Sequence, residues 1–334
     1  MDYSKKSKWY GCFLVVGLIL LMVPFGFAEP KLVVKFGHHH AVGSAMDRYA
    51  HKFAELLKTK TNGQIEVRVF PGAQLGQEAE AAEGIHLGTL QTTIASSPFF
   101  SKYLPEMGFD YLPYLWDSRE QIEKVLKGPI MEEVNQRLLS KSKVRNLGWM
   151  QIGFRHMLFR NKEVKKLADI KGLKMRAPQS YWFIEMFRHL GAKPTAITWG
   201  EVYTALQTGV VDGMETPFSG GVDMKFMEVT KYWALTRHMF SLMPHWVNES
   251  FFKELSPVYQ RAFQEAAREA ISWNDQQADN HEEESRKIME KRGMIFNEVN
   301  REEWRTAVLP VYETFFRQAP GAKSIVEKIR AATK

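Results

Sequence analysis

The run His38-His39-His40 is the first group of side chains in this 334-residue chain whose chemistry stands out. Imidazole is a common metal ligand, so three in succession raise the hypothesis of a metal site. Consecutive side chains of an extended segment alternate in direction, however, so at most two of the three can reach one ion. No further ligand lies at a telling spacing. We therefore expect the three histidines to line a cleft or a surface without a metal.

Sequence motifs of covalent catalysis are missing from the chain. It has no G-x-S-x-G nucleophile elbow, no H-E-x-x-H helix, no G-x-x-x-x-G-K phosphate loop and no G-x-G-x-x-G turn. The acidic run Asp279–Glu284 lies in a charged helical stretch, which predicts a solvated face. Cys12 is the only cysteine, so a disulfide scaffold or a cysteine-built metal site is excluded. These observations predict a protein that is not an enzyme and holds no cofactor.

Alternating strand and helix patterns must position whatever site the chain builds. Apolar residues over 32–36 predict a strand, and Ser44 with Asp47 predicts the start of a helix that ends at Asn62-Gly63. A strand over 65–69, a helix over 78–87 and a strand over 91–95 follow. This order predicts a mostly parallel sheet covered by helices.

The second half repeats the α/β pattern and then becomes helical. Strands are predicted over 144–150, 156–160 and 173–176, a helix over 181–190, and another that stops at Gly209. From Ser256 onward the pattern is mainly helical. No flexible linker separates the halves, so we expect two α/β lobes with a ligand cleft between them.

The composition and the N-terminus bound the class of protein. Hydrophobic residues make up 45% and charged residues 25%, which is typical of a folded globular chain. The net charge of +7 selects no partner by itself, and we expect no nucleic acid. Residues 1–28 begin with Lys5, Lys6 and Lys8, continue with an apolar run and end with small residues before a cleavage site after Ala28. This pattern predicts a cleaved secretory signal peptide.

Residues 153–217 resemble the DctP-type solute-binding proteins of TRAP (tripartite ATP-independent periplasmic) transporters. The resemblance depends on the segments GFRHM, DIKGLKMRAP, GAKPT, EVYTALQTGVVDG and ETP, which occur in the family's order and spacing. Weaker agreement extends to NGQIEV, PGAQLG and FDYLPYLW upstream and to WVNESFFKELSP downstream. The resemblance therefore covers essentially the whole chain after the predicted leader.

The resemblance implies a two-lobed α/β fold of the periplasmic-binding-protein type (type II-like), with a ligand cleft between lobes and a long lobe-spanning helix. The lobes are expected to be discontinuous, one formed by 29–152 and 242–281 and the other by 153–241 and 282–334. It also implies a periplasmic protein that closes around a small carboxylate-bearing organic acid. The acid would then pass to the large and small permease subunits in the membrane.

The resemblance also implies which side chains meet the ligand. Arg176, in KMRAP, matches the family's carboxylate-binding arginine, and a guanidinium suits this role because it donates two parallel hydrogen bonds. Arg155, in GFRHM, matches a second arginine near the ligand. The remaining implied positions are Trp199, Thr216, Glu78, His39 and Ser96.

Several alternatives stay open on the sequence. Trp199 fits ligand contact and core packing equally well, and Thr216 stands where many members have asparagine, which puts the ligand's polar substituents in question. Ser96 and Ser97 argue against sialic acid, whose binders carry charged residues there. A C4-dicarboxylate, a uronate, an aromatic acid and a keto acid all fit, and Trp182, Trp199, Phe218 and Trp246 favour a ligand with an apolar or ring portion. An exported enzyme acting on a small acid and a sensor-input binding protein are the rival functions.

Overall fold

The computed structural model describes residues 32–333 and contains one mixed sheet. Its strands, in chain order, are β1 (Leu32–Gly37), β2 (Ile65–Phe70), β3 (Thr92–Ile94), β4 (Val144–Phe159), β5 (Lys174–Ala177), β6 (Lys193–Ala196), β7 (Gly213–Thr216), β8 (Tyr232–Asn248) and β9 (Ile295–Asn297). They follow the spatial order β2-β1-β3-β8-β4-β7-β5-β6, with β9 paired to β8. The predicted leader, residues 1–28, lies outside the described residues.

Helices pack against the strands of this sheet. They are α1 (Ala45–Lys60), α2 (Glu78–Leu87), α3 (Arg119–Leu126), α4 (Pro129–Lys141), α5 (Tyr181–His189), α6 (Val202–Thr208), α7 (Phe218–Asp223), α8 (Glu249–Glu254), α9 (Pro257–Lys291), α10 (Arg301–Gln318) and α11 (Pro320–Ala332). Within residues 32–333, no helix combines the length and the apolar character needed to cross a membrane.

Helix α1 shows how local sequence produces these elements. The Ser44 hydroxyl accepts a hydrogen bond from the Asp47 backbone N–H at 3.3 Å, which satisfies one of the free donors of the first turn. Tyr49, Phe53 and Leu57 recur at helical spacing and are buried, so one face of the helix packs on the sheet. The chain leaves the helix through Asn62, which has a positive φ. The predicted start and end of this helix are confirmed.

Two long strands and one long helix connect the two lobes. Strands β4 and β8 pair antiparallel along most of their length, from Val144 opposite Asn248 to Phe159 opposite Tyr232. Strands β1 to β3 lie on one side of this pair, and β5 to β7 lie on the other. Helix α9 packs against β4, against α1 of the first lobe and against α7 of the second. The expected two-lobed α/β fold with a lobe-spanning helix is confirmed.

The strand predictions for the lobe crossing were wrong in one respect. The segments predicted as separate strands over 144–150 and 156–160 belong to one strand, β4, which ends at Phe159. Strands β1, β2 and β3 pair parallel as predicted, and the whole sheet is mixed because β4 pairs antiparallel with both β8 and β7. Two glycines of β4, Gly148 and Gly153, lie at bulges where α9 passes close. A Cβ on Gly148 would lie 2.4 Å from Ile271 Cδ1, and one on Gly153 would lie 2.7 Å from the Glu282 carboxyl carbon.

The acidic run of α9 is not a uniformly solvated face as predicted. The Asp279 side chain is largely exposed, but Glu282 turns inward over Gly153. Its carboxylate accepts hydrogen bonds from the backbone N–H groups of Phe218 (3.0 Å) and Ser219 (2.8 Å). Burial is the largest influence on the Glu282 carboxyl and raises its pKa. Glu282 therefore ties the first turn of α7 to the helix that joins the lobes.

Candidate functional site

A cleft between the lobes brings together the side chains that the sequence singled out. It holds about 820 Å³ of empty space, its solvent-open mouth included, within the size range of small-molecule sites. First-lobe residues line one wall and second-lobe residues line the other. The predicted residues that line this cleft are His39, Glu78, Ser96, Arg155, Arg176, Trp199 and Thr216.

Arg176 is held at the end of β5 with its guanidinium in the cleft. Its Nε donates to the Ile197 carbonyl oxygen at 2.9 Å, which orients the group, and the side chain is only 3% exposed. Among the described residues, no carboxylate lies within 4 Å of it. Burial is the main cause that lowers its pKa to about 10, and the Arg155 charge acts in the same direction. Arg176 is a buried cation whose terminal nitrogens are available to an anion.

Arg155, on β4, is in contrast already paired. Its Nε and Nη2 donate to the two carboxylate oxygens of Glu215, the Nη2 bond being 2.8 Å long, and Nη1 donates to the Ser241 hydroxyl at 3.1 Å. Burial opposes ionisation of Glu215, yet Arg155, helped by His238, holds the pKa of this carboxyl down at about 2. The pair is bidentate and buried, so its net charge in the cleft is close to zero.

His39, Glu78 and Ser96 form the polar wall of the first lobe. Glu78 Oε1 accepts from the Ser96 backbone N–H at 2.6 Å, and its Oε2 lies 3.6 Å from His39 Nε2. Burial is the main cause that lowers the pKa of His39. The Arg176 charge also lowers this pKa, whereas the Glu78 carboxylate raises it. This wall therefore presents hydrogen-bonding groups and one carboxylate opposite the arginines.

Trp199 and Thr216 form part of the second-lobe wall. The indole packs edge-to-face on Phe226 at 5.2 Å between centroids, while the Arg176 guanidinium lies 5.5 Å from the indole ring centre. Trp199 therefore both packs on the lobe core and faces the cleft. Thr216 ends β7 and is buried, with Gly220 of α7 directly above it.

Substituting Gly220 tests how tightly this wall is packed. A Cβ at this position would lie 2.2 Å from the Thr216 hydroxyl oxygen, so Gly220→Ala is expected to lower the free energy of unfolding by about 1–3 kcal/mol. Chemical denaturation measures the change. Gly200→Ala is the matched control, because its nearest atom is the flexible end of Gln77 at 3.3 Å. Equal stability of the two variants would contradict the close contact.

Three of the aromatic residues proposed to favour a ring-containing ligand do not line the cleft, so that interpretation is wrong for them. Trp246 is fully buried, and its indole N–H donates to the Ala95 carbonyl oxygen at 2.7 Å. Trp182 packs edge-to-face on Phe315, and Phe218 stacks on a histidine at 4.5 Å. Their rings fill cores, which is the commoner use of a large aromatic side chain.

The cleft also contains residues that sequence reasoning missed. Phe183 lies under Arg155, 5.5 Å from its guanidinium to the ring centre, and Ser180 has a buried hydroxyl without a partner among the described residues. Tyr111 and Asp223 also line the cleft. Glu215 was missed although it lies in the ETP segment beside Thr216. An acid next to a predicted ligand position was the available signal for it.

The triple histidine divides between the cleft and the protein interior. His39 and His40 line the cleft, their ring centroids 4.1 Å apart, as the cleft interpretation predicts. His38 lies beneath them with Nε2 3.2 Å from Asp47 Oδ1, and burial lowers its pKa to about 4. Within residues 32–333 no group of three or more histidine, cysteine or acidic side chains is placed to hold a metal ion.

Comparisons with known proteins agree on one family. Residues 36–319 match the family described as "Bacterial extracellular solute-binding protein, family 7". A solute-binding protein of Verminephrobacter eiseniae is 33% identical over 281 residues, which are 84% of this chain and 83% of that protein.

Solved structures give the same result. A sugar acid binding protein of Advenella mimigardefordensis in complex with galactonate has a TM-score of 0.87 at 27% identity, covering 91% of this chain and 98% of that one. A TRAP periplasmic solute-binding protein of Roseobacter denitrificans with bound β-D-glucuronate has a TM-score of 0.86 at 28% identity, covering 90% and 99%.

Proposed function

Because the chain belongs to family 7 of the bacterial extracellular solute-binding proteins, we propose that it captures a sugar acid with one carboxylate for a TRAP transporter. The observation that carries the proposal is Arg176, a buried guanidinium with one backbone partner and, within residues 32–333, no carboxylate partner. A ligand carboxylate would complete its hydrogen bonds bidentately and neutralise a charge that burial disfavours.

The charge balance of the cleft favours one carboxylate over two. Arg155 is neutralised by Glu215, so Arg176 is the arginine that remains for a ligand among the described residues of the cleft. Glu78 lines the same cleft. Its oxygens would accept hydrogen bonds from sugar hydroxyls and repel a second carboxylate. Galactonate and β-D-glucuronate, the acids bound by the two solved relatives, have this composition of one carboxylate and several hydroxyls.

Capture and delivery follow from the two lobes and need no covalent step. The ligand walls belong to different lobes, so closure about the β4–β8 crossing would enclose the acid. The expected lobes, 29–152 with 242–281 and 153–241 with 282–334, are the units that would move. The closed protein would act in the periplasm after loss of residues 1–28 and would present the acid to the two membrane subunits of the permease.

A thermal-shift screen of organic acids tests the proposed function. A ligand that binds only the folded state stabilises it by about 2.7 kcal/mol at a concentration 100 times Kd. Aldonates and uronates are expected to raise the Tm, and their neutral alditols are expected to leave it unchanged. A screen in which only C4-dicarboxylates or aromatic acids raise the Tm would overturn the sugar-acid assignment.

Glu78 provides a test of the preference for a single carboxylate. Wild-type protein is expected to bind glucuronate more tightly than glucarate, which carries a second carboxylate. Glu78→Gln removes the negative charge of the first-lobe wall. It should reduce the ratio of glucuronate affinity to glucarate affinity about tenfold, since a like charge a few ångströms away costs on the order of 1–4 kcal/mol. Calorimetry with both acids measures the ratio. Glu80→Gln, an exposed acid on the same helix, is the matched control and should leave it unchanged.

A further inference from the structure

Asp223 makes a contact between the two walls of the cleft. It is the last residue of α7 in the second lobe, and its Oδ2 accepts a hydrogen bond from the backbone N–H of Ala45 at 3.3 Å. Ala45 is the first residue of α1 in the first lobe. The two residues are 178 positions apart in sequence, and the hydrogen bond joins two elements that belong to opposite walls.

The position of this contact suits a carboxylate. Ala45 N–H is one of the first-turn donors that α1 cannot satisfy internally, and the amino end of a 16-residue helix attracts negative charge. Asp223 Oδ1 also lies 3.6 Å from His281 Nε2 on α9, and the Asp223 side chain is 18% exposed. One carboxylate therefore lies where the first lobe, the second lobe and the lobe-spanning helix meet.

The elements on both sides of the contact also form the ligand cleft. Ser44, Ala45 and Met46 of the first lobe line it, as do Gly220 and Asp223 of α7. Glu282 fixes the other end of α7 by accepting from two of its backbone N–H groups. Helix α7 is thus held to α9 at its start and to α1 at its end, so the lobes cannot separate here unless the Asp223–Ala45 hydrogen bond breaks.

We propose that Asp223 is a closure residue that sets how long the ligand stays bound. This inference rests on the proposed function. The hydrogen bond exists when the lobes are together, so it would slow opening and hence ligand release. It would have little effect on the first encounter of ligand with the open cleft, since most changes to an interface act on dissociation.

The test is a double-mutant cycle on the two partners. Asp223→Ala removes the acceptor. Ala45→Pro removes the donor and keeps the helix, because proline is well tolerated at the first helical position and Ser44 already has an extended conformation. Each variant is expected to raise the dissociation rate constant of a sugar acid about tenfold, the change expected for one lost charge-assisted hydrogen bond. The association rate constant should change less than about twofold.

Non-additivity identifies the contact itself. The double variant should dissociate no faster than either single variant, because both remove the same hydrogen bond. Glu228→Ala is the matched control, an acid of the same lobe whose partners Tyr203 and Arg292 are not in the first lobe. Additive effects, or a slower association with unchanged dissociation, would overturn the proposal.

A second measurement separates this inference from the proposed function. Spin labels at Lys58→Cys on α1 and Val210→Cys in the second lobe report the distance between lobes without ligand, with Cys12 replaced by serine. Asp223→Ala should shift the distances toward the longer, open population. If wild-type protein binds no acid, the proposed function fails and this shift still supports the closure residue. An unchanged distribution overturns it.

Discussion

Arg176→Ala is expected to weaken binding of the sugar acid by roughly 30-fold to several-thousand-fold, equivalent to about 2–5 kcal/mol. The effect is large because the variant leaves the ligand carboxylate desolvated in the cleft without its cation. The substitution also removes the hydrogen bond that the Ile197 carbonyl oxygen accepts from Arg176 Nε. Calorimetry on wild type and variant with the same acid measures the loss.

Two further variants assign this loss to the guanidinium. Arg176→Lys keeps the positive charge but loses the planar pair of donors, so it is also expected to bind poorly. Arg188→Ala removes an exposed arginine whose partner is Glu185, and should leave the affinity unchanged. An Arg176→Ala protein that is folded and binds as tightly as wild type would rule Arg176 out as the carboxylate site.

Glu215→Ala is expected to lower the free energy of unfolding by about 3–5 kcal/mol, the usual effect of breaking a buried ion pair. Glu215 is 0% exposed and holds both arms of Arg155, so its loss leaves an uncompensated buried guanidinium. The double variant Arg155→Met/Glu215→Leu removes both charges, so its free energy of unfolding should return much of the way to that of wild type. Chemical denaturation compares the three proteins, and a double variant less stable than Glu215→Ala would contradict the account.

The same pair predicts the acid sensitivity of the fold. The pKa of Glu215 is depressed to about 2 from an ordinary 4.5. The stabilisation is therefore fully present above pH 4.5 and is lost as the pH falls toward 2. Glu215→Gln has no carboxylate to protonate, so its unfolding free energy should depend less on pH across that window. Identical pH profiles for wild type and Glu215→Gln would show that the pair does not contribute.

The fold was predictable from sequence where signals were local. Ser44 with Asp47 identified the start of α1, and Gly209, with its positive φ, identified the end of α6. Strand β8 gave no such signal, because its residues are buried on both faces and show no alternation. The bulges of β4 contain glycines because α9 passes too close for a larger side chain. The residues in contact are more than 120 positions apart in sequence. Local patterns do not encode such contacts.

The sequence motifs predicted which residues line the candidate site, but they did not predict which of these side chains pair with each other. The family motifs identified Arg155 and Arg176 together, and both line the cleft. Only Arg155 has a carboxylate partner in the part of the chain that the structure describes, and this difference depends on the register that places β4 beside β7 and its Glu215. Asp223 was missed for the same reason, since its partner is a backbone N–H in the other lobe.

The most direct test of the central claim is calorimetry of the wild-type protein with matched ligands that differ only in the carboxylate. Galactonate and galactitol share every hydroxyl except the one at C1, where galactonate has its carboxylate. Only the acid can complete the hydrogen bonds of Arg176. We expect saturable binding of an aldonate or uronate and at least 100-fold weaker binding of the matching alditol, on the scale of a lost buried charge pair. Equal affinity for acid and alditol, or no binding of any sugar acid, would contradict the account.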